Sequence, residues 1–240
     1  MIRTQAIQHV RSIDYRLESY DWVFARNEAE RIEAHWDALR ADKPALFDGR
    51  VLVAHRLDVD ATDGGVLRAS GFETGYKPFI SWRDFGFPGE PVANLFAMAA
   101  LRSADGAFIL GEMSAGTASA GHLYFPAGTP EPSDANAAGL VDLEANALRE
   151  LQEETGFSPE DVTIERGWTI VFDAARVACM KPIRSPLTAE ALLQRFAAFR
   201  ATEQDPELDA LVAVRSPEDI DETRMPGFML AYLRAAFAEG

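Results

Sequence analysis

The sequence predicts an α/β protein in which helices pack on a mixed β-sheet. In the second part of the chain, short apolar segments of strand type alternate with amphipathic segments of helix type, an order typical of layered α/β proteins. The composition agrees with this, because 48% hydrophobic and 25% charged residues in a chain of 240 are enough to build a packed core.

The first part of the chain mixes strand and helix patterns. Partial alternation predicts a strand within residues 7–17. Apolar residues at helical spacing predict a helix over 27–41, with Asn27 as its N-cap and Pro44 beyond its end. Further on, two strands flank a turn at 63–65 and precede an aromatic-rich short helix or loop, at 49–59, 66–74 and 76–87. Residues 1–92 are therefore interpreted as an N-terminal α+β extension.

The second part, residues 93–240, has a more regular order. A hairpin turn at Asp105 and Gly106 joins its first two strands, and a loop rich in proline, glycine and alanine occupies 127–141. The predicted strands are 94–102, 107–113, 122–126, 162–172 and 208–214, and the predicted helices are 142–155, 188–199 and 221–238. This order predicts a layered α/β architecture.

The charge balance restricts the partners. The formal net charge is −15, from 38 acidic and 23 basic side chains, and Lys and Arg do not form a run. Nucleic-acid binding is not expected, because phosphate contacts require a basic surface. The chain has neither a membrane-length apolar stretch nor a signal-peptide core, and its single cysteine excludes an intrachain disulfide. A cytoplasmic protein without membrane contact is expected.

The most informative stretch is Arg149-Glu150-Leu151-Gln152-Glu153-Glu154-Thr155-Gly156-Phe157. On a helix, Glu150, Glu153 and Glu154 share one face, where like charges cost about 0.2–0.5 kcal/mol per pair. Asp142 suits the N-cap of this helix, and Gly156 suits the left-handed residue that ends it.

A row of three carboxylates on one helix face suits a hard dication such as Mg²⁺, which binds one or two carboxylates together with phosphate oxygens. A carboxylate that is not committed to the metal can act as a general base. The alternative is a solvated acidic helix face. The register of five fixed residues argues against it, since chance gives such a match about once per million positions.

The string RELQEETGF resembles the second half of the Nudix box, Arg-Glu-apolar-x-Glu-Glu-x-Gly-apolar, at every specified position. The resemblance implies an α/β/α sandwich that hydrolyses a nucleoside diphosphate linked to another moiety, with Mg²⁺ or Mn²⁺ as the cofactor. It also implies that Glu150, Glu153 and Glu154 are metal-binding and catalytic carboxylates. Arg149 is then expected to anchor the helix by pairing with carboxylates of the motif.

The first half of the box departs from the family pattern. The family has a glycine fourteen residues before the motif arginine and a glutamate eight residues before it, where this chain has Ala135 and Val141. The segment Phe125-Pro126-Ala127-Gly128 resembles the usual entry instead. The loop after Gly128 therefore carries an insertion of about seven residues.

The leading hypothesis is a Nudix hydrolase domain at 93–240 that acts on a small nucleoside diphosphate derivative. Family members that act on nucleotide sugars and ADP-ribose resemble this chain in having an N-terminal extension, which favours those substrates. Members that act on ADP-ribose also carry a catalytic glutamate in an acidic loop before a late strand, and in the corresponding loop 203–207 Glu207, ahead of Asp205 and Glu203, is the candidate for catalysis and metal binding. The alternative is a solvated acidic loop. The alternative function is a non-catalytic nucleotide-sensing module, and the extension is expected to contact substrate or form a homodimer.

Overall fold

The computed structural model describes residues 6–44, 46–62, 64–89, 91–117 and 119–239. Within these residues the elements follow in the order β1 Ala6–Val10, β2 Ser12–Leu17, α1 Val23–Asn27, α2 Ala29–Asp42, β3 Arg50–Asp60, β4 Val66–Gly75, α3 Tyr76–Asp84, β5 Asn94–Arg102, β6 Phe108–Met113, β7 Leu123–Tyr124, β8 Ala127–Gly128, α4 Leu143–Thr155, β9 Thr163–Ile164, β10 Trp168–Asp173, β11 Arg176–Arg184, α5 Ala189–Arg200, β12 Leu208–Val214 and α6 Gly227–Glu239. No helix in these ranges is long and apolar enough to cross a membrane.

A mixed sheet forms the centre of the molecule. Its path runs β1-β10-β11-β5-β6-β12, and the short strands β7, β8 and β9 pair with β6, β5 and β11. Helices α4 and α5 cover one face of this sheet. Helix α6 covers the other face, where Met229 and Leu233 pack against residues such as Met98 of β5. The predicted α/β/α sandwich is confirmed.

The sheet opens between β5 and β6, and this opening brings a loop to the helix that carries the glutamates. The two strands pair directly only at Arg102 and Phe108 in the described part of the chain. Beyond that point β7 pairs with β6 and β8 pairs with β5, with Gly128 opposite Ala97. The segment 123–128 therefore passes through the gap and reaches α4.

The N-terminal part folds onto the rest of the same chain. Strands β2, β4 and β3 form a second sheet, which α1, α2 and α3 cover with an aromatic cluster that includes Trp22 and Trp82. The inner face of this sheet shares a core with the main sheet and α4, in which Tyr15 and Leu52 lie in one cluster with Trp168. In addition, β1 pairs with β10 inside the main sheet. The boundary between an N-terminal extension at 1–92 and a second domain at 93–240 stays a prediction.

A chain that begins at Ala93 is expected to lose its fold. The truncation would remove β1 from the main sheet and expose apolar side chains that the second sheet now covers, among them Leu95 and Leu143. We expect aggregation, or a thermal transition that is broad and lowered, as measured by circular dichroism against the full chain. A truncated protein that melts cooperatively at the temperature of the full chain and keeps its activity would contradict this expectation.

Several sequence predictions are confirmed. Strand β12 has the predicted limits, and β3, β4, β5, β6 and α5 lie within two residues of theirs. Asp142 caps α4 by accepting hydrogen bonds from the backbone N–H groups of Glu144 and Ala145, and Gly156 ends the helix with a φ of 73°. The aromatic-rich segment is a helix, α3. The predicted turn at 63–65 includes residue 63, which lies outside the described residues.

Other predictions are wrong. Residues 7–17 form two strands in different sheets, β1 and β2. Asn27 ends α1, and α2 begins after Glu28 with no side-chain cap. The strand predicted at 122–126 is limited to β7, because the chain there passes from pairing with β6 to pairing with β5. The helix predicted from residue 221 begins only at Gly227, because Asp221 accepts hydrogen bonds from the next backbone N–H groups and forms a turn.

The largest error concerns the strands after α4. The strand predicted at 162–172 is two strands, β9 and β10, and both pair with β11. Strand β11 was not predicted. It lies between β10 and β5 and is buried on both faces, so it lacks the alternation of polar and apolar residues that marks a half-buried strand. Cys179 lies in this strand and is buried.

Candidate active site

The three motif glutamates of α4 differ in how deeply they are buried. Leu143, Ala147 and Leu151 face the core and fix the rotation of the helix. On nearly the same side, Glu154 is 4% exposed, whereas the side chains of Glu150 and Glu153, which lie further round the helix, are 14% and 60% exposed. The three carboxylates therefore meet different environments.

Glu154 carries a buried carboxylate with one unpartnered oxygen. Its Oε1 accepts a hydrogen bond of 3.1 Å from the backbone N–H of Ala127 in β8. Its Oε2 is buried and has no hydrogen-bond partner. Burial raises the pKa of Glu154 well above its usual range, and repulsion from Glu207, Glu150 and Glu153 raises it further. A buried, unpaired anion is costly unless a cation or proton joins it.

Glu150 lies against the backbone of β8. A side chain at Gly128 would clash with the Glu150 carboxylate, because a Cβ atom there would be 2.1 Å from Glu150 Oε1 and 2.3 Å from Glu150 Cδ. Burial raises the pKa of Glu150 to about 7, repulsion from Glu153, Glu207 and Asp134 adds to this, and Arg149 opposes it. Because Gly128 has no side chain, it leaves the space that the Glu150 carboxylate occupies.

Arg149 connects the glutamates to the inserted loop. Its guanidinium contacts Glu150 Oε1 at 2.9 Å and Glu153 Oε2 at 3.0 Å. It also donates to both oxygens of Asp134 at 3.4 Å, and Glu131 lies 3.8 Å away. Pairing of Arg149 with carboxylates of its own motif was expected, whereas pairing with the loop was not.

Asp134 is the site residue that sequence reasoning missed. Its side chain is 7% exposed, and its Oδ2 accepts hydrogen bonds of 2.9 Å from Asn146 Nδ2 on α4 and from the backbone N–H of Glu131. The backbone N–H of Asp142 also donates to its carbonyl oxygen. The sequence predicted an insertion in this loop but no role for its residues, and the one available signal was an acidic residue next to Ala135, where the family pattern expects glycine.

Glu207 lies in the loop before β12, as predicted, and the backbone N–H of Ser114 donates to its carbonyl oxygen at 2.8 Å. Partial burial raises the pKa of Glu207, and repulsion from Glu153 and Glu203 adds to this. The charge of Glu207 in turn raises the pKa of Glu150 and of Glu154. Glu207 is therefore electrostatically coupled to the glutamate face of α4.

The donor set suits a hard cation. In the described part of the chain, no three His, Cys, Asp or Glu side chains are arranged to hold a metal ion. Glu150 and Glu153 form ion pairs with Arg149. The unpartnered Oε2 of Glu154 and the carboxylate of Glu150 are nevertheless oxygen donors of the kind that Mg²⁺ prefers. The residues present fit a divalent cation.

A family model described as NUDIX domain matches residues 95–227, which is more than half of the chain. No curated protein sequence matches the chain. Residues 95–227 contain the main-sheet strands from β5 to β12 and all of α4. The match therefore includes the glutamate helix and the inserted loop, and it begins after the N-terminal sheet.

Three solved structures illustrate what this chain is similar to. A Nudix hydrolase from M. smegmatis, RenU, is 13% identical with a TM-score of 0.40, and the match covers 60% of this chain and 84% of that one. An Ap4A hydrolase from C. elegans is 17% identical with a TM-score of 0.38, covering 60% and 98%. The MutT protein from Methanosarcina mazei Go1 is 17% identical with a TM-score of 0.39, covering 61% and 94%.

Proposed function

Because the chain belongs to the NUDIX family of pyrophosphohydrolases, we propose that it hydrolyses a nucleoside diphosphate linked to a second moiety, with a nucleotide sugar or ADP-ribose as substrate. The observation that carries the proposal is the glutamate face of α4. Glu154 brings an unpartnered, buried carboxylate oxygen to the face that it shares with Glu150. Such a face is costly to fold, and a cation bound between protein and pyrophosphate would offset that cost.

The cofactor of this proposal is Mg²⁺ or Mn²⁺, and Glu150, Glu153, Glu154 and Glu207 are the residues that would hold it. When bound, such an ion neutralises phosphate charge and lowers the pKa of a water molecule. In the metal-free protein burial raises the pKa of Glu150 to about 7, and Glu150 is the group proposed to accept a proton from the attacking water. Arg149 keeps Glu150 and Glu153 oriented through its two ion pairs.

The N-terminal part supports a substrate larger than a simple nucleotide. Burial raises the pKa of Tyr124 to about 12, and the positive charge of Arg83, at the end of α3, opposes this shift. The negative charges of Glu154 and Glu207 contribute to the rise in the pKa of Tyr124. The backbone N–H of Leu52 in β3 also donates to the carbonyl of Pro130, two residues after Gly128, so the N-terminal part contacts the loop beside the glutamate site, where it can contact a second moiety.

A hydrolysis screen tests the proposed function. The substrates are nucleotide sugars, ADP-ribose, dinucleotides, coenzyme A and nucleoside triphosphates, each with Mg²⁺ and with Mn²⁺. We expect turnover to be fastest with a nucleotide sugar or ADP-ribose and to release a nucleoside monophosphate. Tight binding of these compounds without turnover would favour the sensing module instead. A homodimer and a cytoplasmic location stay predictions, and light scattering tests the first.

Replacing Asp134 by asparagine is expected to lower kcat about tenfold with little change in KM, because Arg149 loses a charged partner and holds Glu150 less firmly. The matched control is Asp37→Asn on α2, a change on an exposed helix face. Steady-state kinetics on the best substrate of the screen measures both constants. An Asp134→Asn enzyme with the wild-type kcat would show that Asp134 does not position the site.

Alanine substitutions at Glu203, Asp205 and Glu207 identify the acid that the loop contributes. We expect Glu207→Ala to lower kcat about 100-fold and the other two to act weakly, because Glu207 is the loop acid whose charge acts on Glu150 and Glu154. Turnover is measured at saturating metal and substrate. If all three variants keep near-normal turnover, the base lies on α4, at Glu150 or Glu153.

A further inference from the structure

We propose that a cavity beside the first turn of α4 binds the sugar moiety of the substrate, an inference that rests on the proposed function and assigns a place to the second moiety. The cavity has a volume of about 860 Å³, which is within the range of small-molecule sites. Its walls come from β2, the inserted loop, the start of α4, and Trp168 and Lys181 of the main sheet.

The cavity is built largely by the two parts of the chain that the box motif does not contain. The inserted loop is tied to the N-terminal sheet by backbone hydrogen bonds, from Leu17 to the carbonyl of Gly139 at 2.8 Å and from Val141 to the carbonyl of Tyr15 at 2.9 Å. The backbone N–H of Leu52 also donates to the carbonyl of Pro130 at 2.7 Å. These bonds fasten the loop to the N-terminal sheet, while Asp134 bonds the loop to α4.

The side chains that line the cavity favour a neutral group rich in hydroxyls. Three cationic and three anionic residues contribute to the wall: Arg11, Arg149, Lys181, Asp134, Asp142 and Glu144. Several are already paired, since Lys181 Nζ lies 2.6 Å from Glu144 and Arg149 lies 3.4 Å from Asp134. A phosphate group in the cavity would be repelled by the three carboxylates. Hydroxyl groups, in contrast, can donate hydrogen bonds to the carboxylates and accept hydrogen bonds from the cations.

Trp168, which is 7% exposed, contributes a small apolar surface to the cavity wall. Its ring lies 5.0 Å from Lys181 Nζ, and the Lys181 side chain is 5% exposed. An aromatic ring beside ordered polar groups suits a sugar ring, which has apolar C–H groups as well as hydroxyls.

The cavity adjoins the glutamate site through one residue. Arg149 lines the cavity and pairs with Glu150 and Glu153. A diphosphate at the glutamate face can therefore extend its sugar along α4 into the cavity. This arrangement assigns specificity for the second moiety to the inserted loop and β2.

The test fills the cavity without touching the catalytic residues. Ala145 is exposed on α4 and lines the cavity, and Ala34 is exposed on α2, away from it. Ala145→Trp and the control Ala34→Trp are each combined with Glu154→Gln, which suppresses turnover. Calorimetry with Mg²⁺ then compares the affinities for ADP-ribose, ADP-glucose and ADP, and the single variants are assayed for hydrolysis.

We expect the Glu154→Gln parent to bind at least one of the two sugar compounds about tenfold more tightly than ADP. Adding Ala145→Trp should abolish that preference and leave ADP affinity unchanged, whereas Ala34→Trp should change neither. A preference that survives Ala145→Trp, or a parent that lacks it, overturns the inference. If wild-type protein still hydrolyses the sugar compounds in that case, the proposed function stands. If binding behaves as expected but no diphosphate is hydrolysed, the proposed function fails and the cavity assignment remains.

Discussion

Replacing Glu154 by glutamine is expected to lower kcat about 1,000-fold, which is within the range for a group that acts directly on the reaction. The side chain keeps its shape and can still accept the hydrogen bond from Ala127. What it loses is the charge on the buried, unpartnered Oε2. The control is Glu160→Gln, an exposed glutamate in the turn that follows α4. A Glu154→Gln enzyme with more than a tenth of wild-type turnover would remove Glu154 from the site.

The same substitution should stabilise the metal-free protein. Burial raises the pKa of Glu154 and Glu150 above their ordinary value of 4.5, so the folded state binds more protons than the unfolded state above that pH. Stability therefore falls as pH rises from about 4.5 towards the folded pKa, which is about 7 for Glu150. With the charge of Glu154 gone, we expect about 1 kcal/mol more stability at pH 7 and a shallower dependence on pH.

Thermal melts in EDTA between pH 4.5 and pH 8 measure this effect. Together with the kinetics, they separate a functional carboxylate from a structural one. A functional carboxylate loses activity and gains stability on neutralisation, whereas a structural one loses both. A Glu154→Gln protein that melts below wild type at pH 7 would contradict the account of the buried charge.

Replacing Gly128 by alanine is expected to reduce kcat/KM about 100-fold, because a shift of about 1 Å in a catalytic group can cost that much. The added Cβ atom would lie 2.1 Å from Glu150 Oε1, so the carboxylate must move. The backbone at Gly128 does not have a positive φ, and the fold should therefore tolerate alanine.

Gly116→Ala is the matched control, since its nearest neighbour would be Ser114 Oγ at 3.9 Å. We expect wild-type kinetics for the control and similar melting temperatures for both variants. The assay is steady-state hydrolysis of the best substrate. Normal activity in Gly128→Ala would mean that the position of Glu150 against β8 is unimportant for the reaction.

The glutamate helix was predictable because its signals are local. The N-cap, the spacing of the glutamates and the final glycine all lie within residues 142–156, and the structure has α4 as predicted. The burial of Glu154 and the contact between Gly128 and Glu150 were not predictable. They depend on where β8 pairs with β5, which is set by the opening of the sheet between β5 and β6.

The role of the inserted loop also required the structure. Asp134 lies 15 residues before Arg149, and no helical or strand spacing connects the two residues. Their contact depends on the hydrogen bonds that fasten the loop to β2 and β3, and these connect parts of the chain more than 75 residues apart. Strand β11 escaped prediction for a related reason, because a strand buried on both faces carries no alternation.

Removing the metal and adding it back, with ADP-ribose and a nucleotide sugar as substrates, shows whether hydrolysis depends on a cation at the glutamate face of α4. Protein treated with EDTA is assayed for release of nucleoside monophosphate, first without metal and then with Mg²⁺ or Mn²⁺ added in steps, for wild type and Glu154→Gln. We expect no turnover without metal, full recovery in wild type, and little recovery in Glu154→Gln. Turnover that persists in EDTA, or equal recovery in both proteins, would contradict a metal-dependent reaction at the glutamate face of α4.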